Sequence, residues 1–513
     1  MSKEFVCIFL NLDFGKNLTG IEFSALSRYK LFVEYLNIKP IIITSKYNPY
    51  MYKNIDNLIR IGKVEKNPNI INLYDFIQGF TLSNRKRDNK ALTNNLKSVI
   101  VDGYKDIKYF DNDNKLIMYE VYDKDIGLLS HINYFHKGKT YKRDKYHYFG
   151  YLSSTQNLSI DTKEIISEYF YNINGLLSIS RYYNYKNKKN LLSQIHTHNS
   201  DGSVENIFFS EVEFTSYALA KYIASLNKKD ILFISDKSKF LFLPALYVKE
   251  SSNKNIYIMP VIHSTHTLGD NVIESKIKSH YVDIFNNLSM VDYINVFTKY
   301  QKKDILARYQ YDKLITIPHT FHQQVSDVKS EIIRGKVVYI ARYSPEKNHL
   351  LAIDIFAQVL QSIPHASLHF YGNGAEKEKV ESYINDLKLS DSIFTHGHAD
   401  NIEEIFQTSE LSILTSKMEG FNLTLLESMS CSCPAISFDI KYSPSDIIVD
   451  GFNGFLIPYN DTSLFADKII TILKDGSVQK AMSLNAKQIF DKKFSPKVIS
   501  DLWKKVLEDM FSN

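Results

Sequence analysis

Short apolar runs alternate with helix-period stretches toward both ends of the chain, and a different pattern fills the middle. Val6–Leu10 and Pro40–Thr44 are continuous apolar runs, and Glu22–Leu36 between them carries apolar residues at helical spacing. Continuous runs of this length fit strands buried on both faces of a parallel sheet, so residues 1–75 are predicted to form a strand–loop–helix–strand unit. From 76 to 208, Tyr, His, Asn and Lys crowd in. Polar turns recur there, as in Phe110-Asp-Asn-Asp-Asn-Lys-Leu, Tyr171-Asn-Ile-Asn-Gly-Leu and His198-Asn-Ser-Asp-Gly-Ser. Such turns between aromatic or β-branched segments mark hairpins, and their recurrence predicts an antiparallel β-rich insertion of degenerate hairpin repeats. A sheet of this kind with an aromatic face either meets another copy of itself or a polymer, or simply decorates the surface; both readings stand.

The first pattern resumes at 209. Asp230–Ser235, Tyr257–His263 and Tyr293–Thr298 are predicted strands, and residues 312–335, with Pro318 and a polar run, are a predicted linker. Six further strands follow at Lys336–Ala341, Ser367–Tyr371, Ser392–His396, Leu411–Thr415, Ala435–Phe438 and Phe455–Ile457, with helical stretches between them. Pro496–Phe511 has the period of an amphipathic helix that can cross back onto the first unit. The predicted architecture is α/β: two Rossmann-like doubly wound domains facing a cleft. The first takes 1–75 and 209–320, the insertion 76–208, the second 321–494, and the terminal helix 495–513.

Composition narrows the classes. The 513 residues are 44% hydrophobic and 23% charged, as in soluble globular proteins, and no run approaches the roughly 20 apolar residues of a membrane span. The apolar start is broken by Asn11 and Asp13 and reads as a first strand rather than a signal peptide. A net charge of +5 permits an anionic substrate without calling for nucleic acid. Cys7, Cys431 and Cys433 make no disulfide framework, and Cys-Ser-Cys is too little for zinc, so a reducing, cytoplasmic location is expected.

The strongest chemical signal is Glu419-Gly-Phe-Asn-Leu-Thr-Leu-Leu-Glu427. It places one carboxylate in a Gly-containing loop and a second in the first turn of a predicted helix, Thr424–Met429. The helix N-terminus between them, with Gly420, Phe421, Asn422, Leu423 and Thr424, offers backbone N–H groups to a phosphate while the acids suit sugar hydroxyls. Two surface acids would be the ordinary reading, but other polar groups gather at predicted strand ends, where open α/β sheets bind ligands. Arg342 and Lys347 follow one strand and can clamp a diphosphate. Gly372 and Gly374 follow another in a turn more often structural than ligand-binding. His263 closes a predicted strand, with His266 three residues later, and Gly20 opens the helix after the first strand, where it lets backbone approach a phosphate. Ser443 and the Asp of Ser443-Pro-Ser-Asp446 are expected to cap the helix that begins there.

Gly loop, strand-end His, Arg…Lys, Gly-x-Gly and Glu-x₇-Glu occur here in the order found in the retaining glycosyltransferases of family four, which have the GT-B fold. The resemblance covers residues 1–75 and 210–513 and is most specific over about 336–460. Phe438-Asp-Ile-Lys-Tyr-Ser-Pro-Ser-Asp-Ile-Ile-Val-Asp-Gly-Phe-Asn-Gly-Phe-Leu-Ile is similar to bacterial enzymes that place α-linked sugars on wall teichoic acid. The β-rich insertion also resembles that group, where it supports homo-oligomers. Thr19-Gly-Ile-Glu22 looks more like a sister group that glycosylates serines of surface adhesins.

The resemblance implies that Arg342 and Lys347 neutralise the diphosphate of a UDP-sugar, that Glu427 binds ribose, and that Glu419 meets the donor sugar with the backbone N–H groups of residues 420–423 nearby. His263 would touch the sugar, and Gly20 would lie near the β-phosphate. Asn422 departs from the family's usual Glu-Gly-Phe-Gly. Asp111-Asn-Asp113 sits in the insertion rather than at a strand end, so transfer with retention and without a metal or cofactor is expected, the UDP-sugar being a co-substrate. The implied donor is UDP-glucose or UDP-N-acetylglucosamine. The implied acceptor is a polyol-phosphate wall teichoic acid or, alternatively, a Ser-rich surface adhesin, met in the cytoplasm or at the inner membrane face. A non-catalytic GT-B partner subunit is the third reading; such partners generally lose an acid of the Glu-x₇-Glu pair.

Overall fold

The apolar runs form the predicted parallel sheets. The computed structural model describes residues 5–16, 18–81, 96–101, 103, 105–186, 189–322, 331–399 and 401–511. Phe5–Asn11 lies at the centre of a five-stranded sheet ordered Asn255–Pro260, Asp230–Ser235, Phe5–Asn11, Ile41–Thr44, Ile70–Asn72. Phe9 stands opposite Ile234 on one side and Ile42 on the other in parallel register, and all three are fully buried. In chain order the strands run fifth, fourth, first, second, third, so the connection changes direction beside Phe5–Asn11.

The middle of the chain is a ten-stranded antiparallel sheet from Lys97–Ile100 to Val204–Phe208, each strand paired with its neighbours in sequence. The Asn/Asp turns explain this meander. Asp111 Oδ1 accepts from the Asp113 and Lys115 amides, Asn172 Oδ1 from those of Asn174 and Leu176, and Asp201 Oδ1 from that of Ser203. Each side chain mimics a backbone turn and reverses the strand. Asp111 and Asp113 are therefore turn residues. Phe170, Ile179 and Ile195 of the sheet share a buried cluster with Tyr74 and Phe214.

The last third contains a six-stranded parallel sheet ordered Ile393–Thr395, Ser367–Tyr371, Ile333–Ile340, Ser409–Leu414, Ala435–Phe438, Gly454–Ile457. That is the doubly wound order 3-2-1-4-5-6, with its switch point between Ile333–Ile340 and Ser409–Leu414. Two expectations change. The strand predicted over Tyr257–His263 ends at Pro260, because proline has no N–H to continue the ladder; Val261 makes only an isolated bridge to Asn295. Within the predicted linker 312–335, Leu314–Thr316 is a strand parallel to Ile294–Val296, and residues 323–330 lie outside the described ones.

Two compact units result. Glu4–Glu22 and Lys39–Ile258 make one; Phe23–Ile38 and Met259–Asn513 make the other. In the second unit Trp503 of the terminal helix Pro496–Phe511 packs edge-on against Phe32, ring centroids 5.3 Å apart, with the Arg28 guanidinium 5.7 Å from its ring.

Candidate active site

Lys347 and Glu419 come together at the switch point of the six-stranded sheet. The chain leaves Ile333–Ile340 through a short turn, Pro345–Lys347, and Asn348 in the left-handed region (φ 55°) redirects it into the helix His349–Ser362. Thr415, just past Ser409–Leu414, ties the two strand-end loops: its hydroxyl donates to the carbonyls of Lys347 and Asn348 at 3.3 and 3.1 Å. The Tyr339 hydroxyl also donates to the Lys347 carbonyl, at 2.5 Å. So anchored, Lys347 Nζ lies 2.5 Å from Glu419 Oε1, with both side chains largely buried.

Three donors converge on that oxygen. Besides Lys347, the Ser416 hydroxyl donates at 2.7 Å and the Asn422 amide at 2.9 Å. The backbone of Glu419 is held reciprocally: its N–H donates to the Lys441 carbonyl at 2.8 Å, and the Tyr442 N–H donates to its carbonyl at 2.6 Å. Ser443 follows, and its hydroxyl accepts the Asn422 N–H at 3.0 Å. Ser443 was expected to cap its own helix, Pro444–Ile447; it makes no cap hydrogen bond there and braces the Glu419 loop instead. Asp446 likewise accepts from the Lys299 amide at 3.2 Å, and burial raises its pKa.

Gly420 fixes the position of His263. A Cβ on Gly420 would lie 2.2 Å from the His263 carbonyl oxygen and 2.7 Å from the Ser264 Cα, so only glycine allows the two backbones to meet. The His263 ring packs on Phe297, centroids 5.1 Å apart, and Phe297 lies 5.9 Å from the Phe421 ring. Gly372 is under a similar constraint, since a Cβ there would sit 2.0 Å from the Ala341 carbonyl oxygen, just before Arg342.

The other predicted positions are placed differently. Arg342 is largely exposed, and its guanidinium pairs with Glu346 at 3.3 Å rather than joining the Lys347–Glu419 pair. Glu427 sits on the second turn of the helix Leu423–Ser430, not the first, because the helix begins one residue earlier than predicted. Of the first backbone amides there, that of Asn422 is taken by Ser443 and that of Leu425 by Asn422 Oδ1, at 2.8 Å. The amides of Leu423 and Thr424 come too early in the helix to have an intrahelical acceptor. His266 is completely buried beside Phe285 and Tyr442, and burial pushes its pKa down to about 4.

Gly20 belongs to the other unit, at the first position of the helix Gly20–Leu36. Thr19-x-x-Glu22 is a capping box there, the Thr19 N–H donating to Glu22 Oε2 at 2.9 Å. Lys237, two residues past Asp230–Ser235, pairs with Glu22 Oε1 at 2.9 Å, across the switch point of the five-stranded sheet. Burial opposes ionisation of Glu22, but bonds from Lys237 and Thr19 outweigh it and hold its pKa low. Sequence reasoning missed Ser416, Thr415, Tyr339 and Lys237. A T-x-x-E box before a helix was a readable signal for the Glu22 arrangement; the others needed the fold.

The Glycosyl transferases group 1 family matches residues 326–489, which hold this site. Two relatives align over 98% of the chain. One is a poly(glycerol-phosphate) alpha-glucosyltransferase of Bacillus subtilis, 27% identical and covered over 75% of its length. The other is a poly(ribitol-phosphate) alpha-N-acetylglucosaminyltransferase of Staphylococcus aureus, 26% identical and covered over 99%. Among solved structures, the pneumococcal O-GlcNAc transferase GtfA in complex with UDP and GlcNAc superposes with a TM-score of 0.83 at 22% identity, over 99% of both chains.

Proposed function

We propose that this chain, a glycosyltransferase of the GT-B fold, moves glucose or N-acetylglucosamine from a UDP-sugar to the hydroxyls of a polyol-phosphate wall teichoic acid. The observation that carries the reading is the Glu419 carboxylate fixed against Lys347 at a doubly wound switch point, beside helix amides that have no internal acceptor. Both teichoic acid relatives align over nearly the whole chain, insertion included.

In this reading the diphosphate meets Lys347, the exposed Arg342 and the amides of Leu423 and Thr424, so leaving-group charge is stabilised without a metal. Glu427 takes the ribose hydroxyls, and Glu419 the donor sugar. His263, brought against Gly420, meets the sugar from the other side. The acceptor hydroxyl attacks from the face the diphosphate leaves, with retention and with no protein nucleophile. The acceptor is met in the cytoplasm, at the inner face of the membrane; no helix among the described residues is long and apolar enough to cross one. The insertion sheet, with Ile166, Tyr185 and Leu191 about half exposed, is the surface through which copies of the chain would associate.

One observation favours a second reading, transfer of N-acetylglucosamine to serines of a surface adhesin: the single glycine of the Thr19–Glu22 loop, together with the fold shared with GtfA. A donor screen decides. UDP release is recorded with UDP-glucose, UDP-N-acetylglucosamine and other nucleotide sugars, each paired with poly(glycerol phosphate), poly(ribitol phosphate) or a Ser-rich peptide. Polymer-dependent release supports the first reading and peptide-dependent release the second. No release with any pair, from folded protein, overturns both.

A further inference from the structure

We propose that Asn422 is a positioning residue for Glu419, a link between helix cap and carboxylate that a glycine at this position would not supply. The inference rests on the transferase reading, in which Glu419 meets the donor sugar. Asn422 is 4% exposed, and both ends of its side-chain amide are used within the protein. Oδ1 accepts from the Leu425 N–H at 2.8 Å and the Thr424 hydroxyl at 2.7 Å, capping the helix Leu423–Ser430. Nδ2 donates to Glu419 Oε1 at 2.9 Å. The orientation of the amide is dictated by its neighbours: a flip would set an NH₂ group against the Leu425 N–H and an oxygen against a carboxylate.

The consequence lies in which carboxylate oxygen is left over. Lys347, Ser416 and Asn422 all donate to Oε1, and no described residue donates to Oε2. Oε2 is therefore the oxygen available to a ligand. Lys347 is the member of this trio that a diphosphate would compete for. When its ammonium turns to the phosphate oxygens, Ser416 and Asn422 remain to keep Glu419 aimed. The Asn422 amide is held by the cap as well as by the carboxylate. The departure from the usual glycine thus acts through Glu419.

Three variants of the full chain separate this role from capping alone. Asn422→Ser keeps a cap acceptor and loses the amide donor. Asn422→Asp keeps the cap and sets a second carboxylate beside Glu419. Asn422→Gly removes both functions. Each is measured for melting temperature, UDP affinity by calorimetry, and kcat, KM and pH profile of UDP release with the donor and acceptor found in the screen. The Ser variant is expected to melt with the wild type and bind UDP as it does, while kcat falls about 10- to 100-fold, the scale of a misplaced group at a reacting centre. The Asp variant is expected to move the acid limb of kcat/KM up by about one pH unit, since a like charge favours the protonated carboxyl. The Gly variant loses both melting temperature and kcat.

Ser and Asp variants with wild-type kcat and pH profile, and only the Gly variant impaired, would reduce Asn422 to a cap and overturn the inference. A wild-type chain that neither binds UDP nor releases it from any donor would instead overturn the transferase reading, and the inference with it.

Discussion

Lys347 Nζ rests 2.5 Å from Glu419 Oε1, so the cation assigned to the diphosphate and the acid assigned to the sugar are, without ligand, each other's counter-ion. Neither side chain could be buried singly at acceptable cost, because an unpaired buried charge is strongly disfavoured. The pair lets both wait in a largely dry site. Lys347→Ala should lower kcat by about 10²- to 10³-fold, on the order of 3–4 kcal/mol, the scale seen when one group stabilising a developing oxyanion is removed. Glu419 keeps Ser416 and Asn422 as donors, so the chain should still fold, at a melting temperature lowered by the loss of the counter-charge. Turnover is read as UDP release from protein whose circular dichroism matches the wild type; near-wild-type turnover would remove Lys347 from the mechanism.

Gly420 offers a sharper steric test. Any side chain there meets backbone atoms of His263 and Ser264, which cannot rotate away as a side-chain tip could. Gly420→Ala should cost about 1–3 kcal/mol of stability by overpacking. It should also lower kcat/KM more than tenfold, since a displacement of about 1 Å at a reacting centre costs on that scale or more. Paired measurements of melting temperature and UDP release check this. An alanine variant that is stable and fully active would mean that the contact with His263 is incidental.

Much of this site could be read from the residues. The six-strand α/β unit, the Glu-x₇-Glu segment and the Arg342…Lys347 loop all followed from apolar runs and strand-end positions. The roles of single residues were harder to read. Ser443 sits one residue before Pro444, the sequence signature of an N-cap, yet its hydroxyl goes to the Asn422 N–H, 21 residues away, because the reciprocal backbone pairing of Glu419 with Lys441 and Tyr442 brings the two loops together. Capping is a local preference, and a tertiary pairing overrode it. Strand ends failed for a related reason: Val261 and Ile262 look like strand in composition, but Pro260 breaks the ladder before them.

The brace itself is testable. Ser443 is fully buried, and Ser443→Ala would leave the Asn422 N–H without its acceptor. Leaving a buried donor unsatisfied costs about 1–3 kcal/mol. Chemical denaturation should show a loss in that range with an unchanged denaturant slope. Ser443→Thr, which retains the hydroxyl, should recover part of it. An alanine variant as stable as the wild type would show that the amide finds another partner.

Buried histidines set the response of the fold to acid. His349, 3% exposed, is stacked between Tyr339 and Tyr343 at centroid distances of 4.9 and 4.7 Å, and neither ring nitrogen has a hydrogen-bond partner among the described residues. Burial, and then the charge of Lys347, push its pKa down to about 4. His266, also fully buried, is pushed down to about 4, chiefly by burial. Both rings are neutral in the folded chain down to about pH 4, whereas in the unfolded chain they take up a proton near pH 6.5. Between those values the unfolded state binds more protons, so stability rises with pH through this window and these groups add nothing further above it. Each histidine contributes a slope of about 1.4 kcal/mol per pH unit there. Stability measured by denaturation from pH 7.5 to 5 should therefore fall on the acid side of 6.5. His349→Phe, which keeps the stacking and removes the two bare nitrogens, should flatten that fall by one group's share and raise stability at pH 5 relative to the wild type. An unchanged slope in the variant would mean that His349 takes up its proton in the folded chain as readily as in the unfolded one.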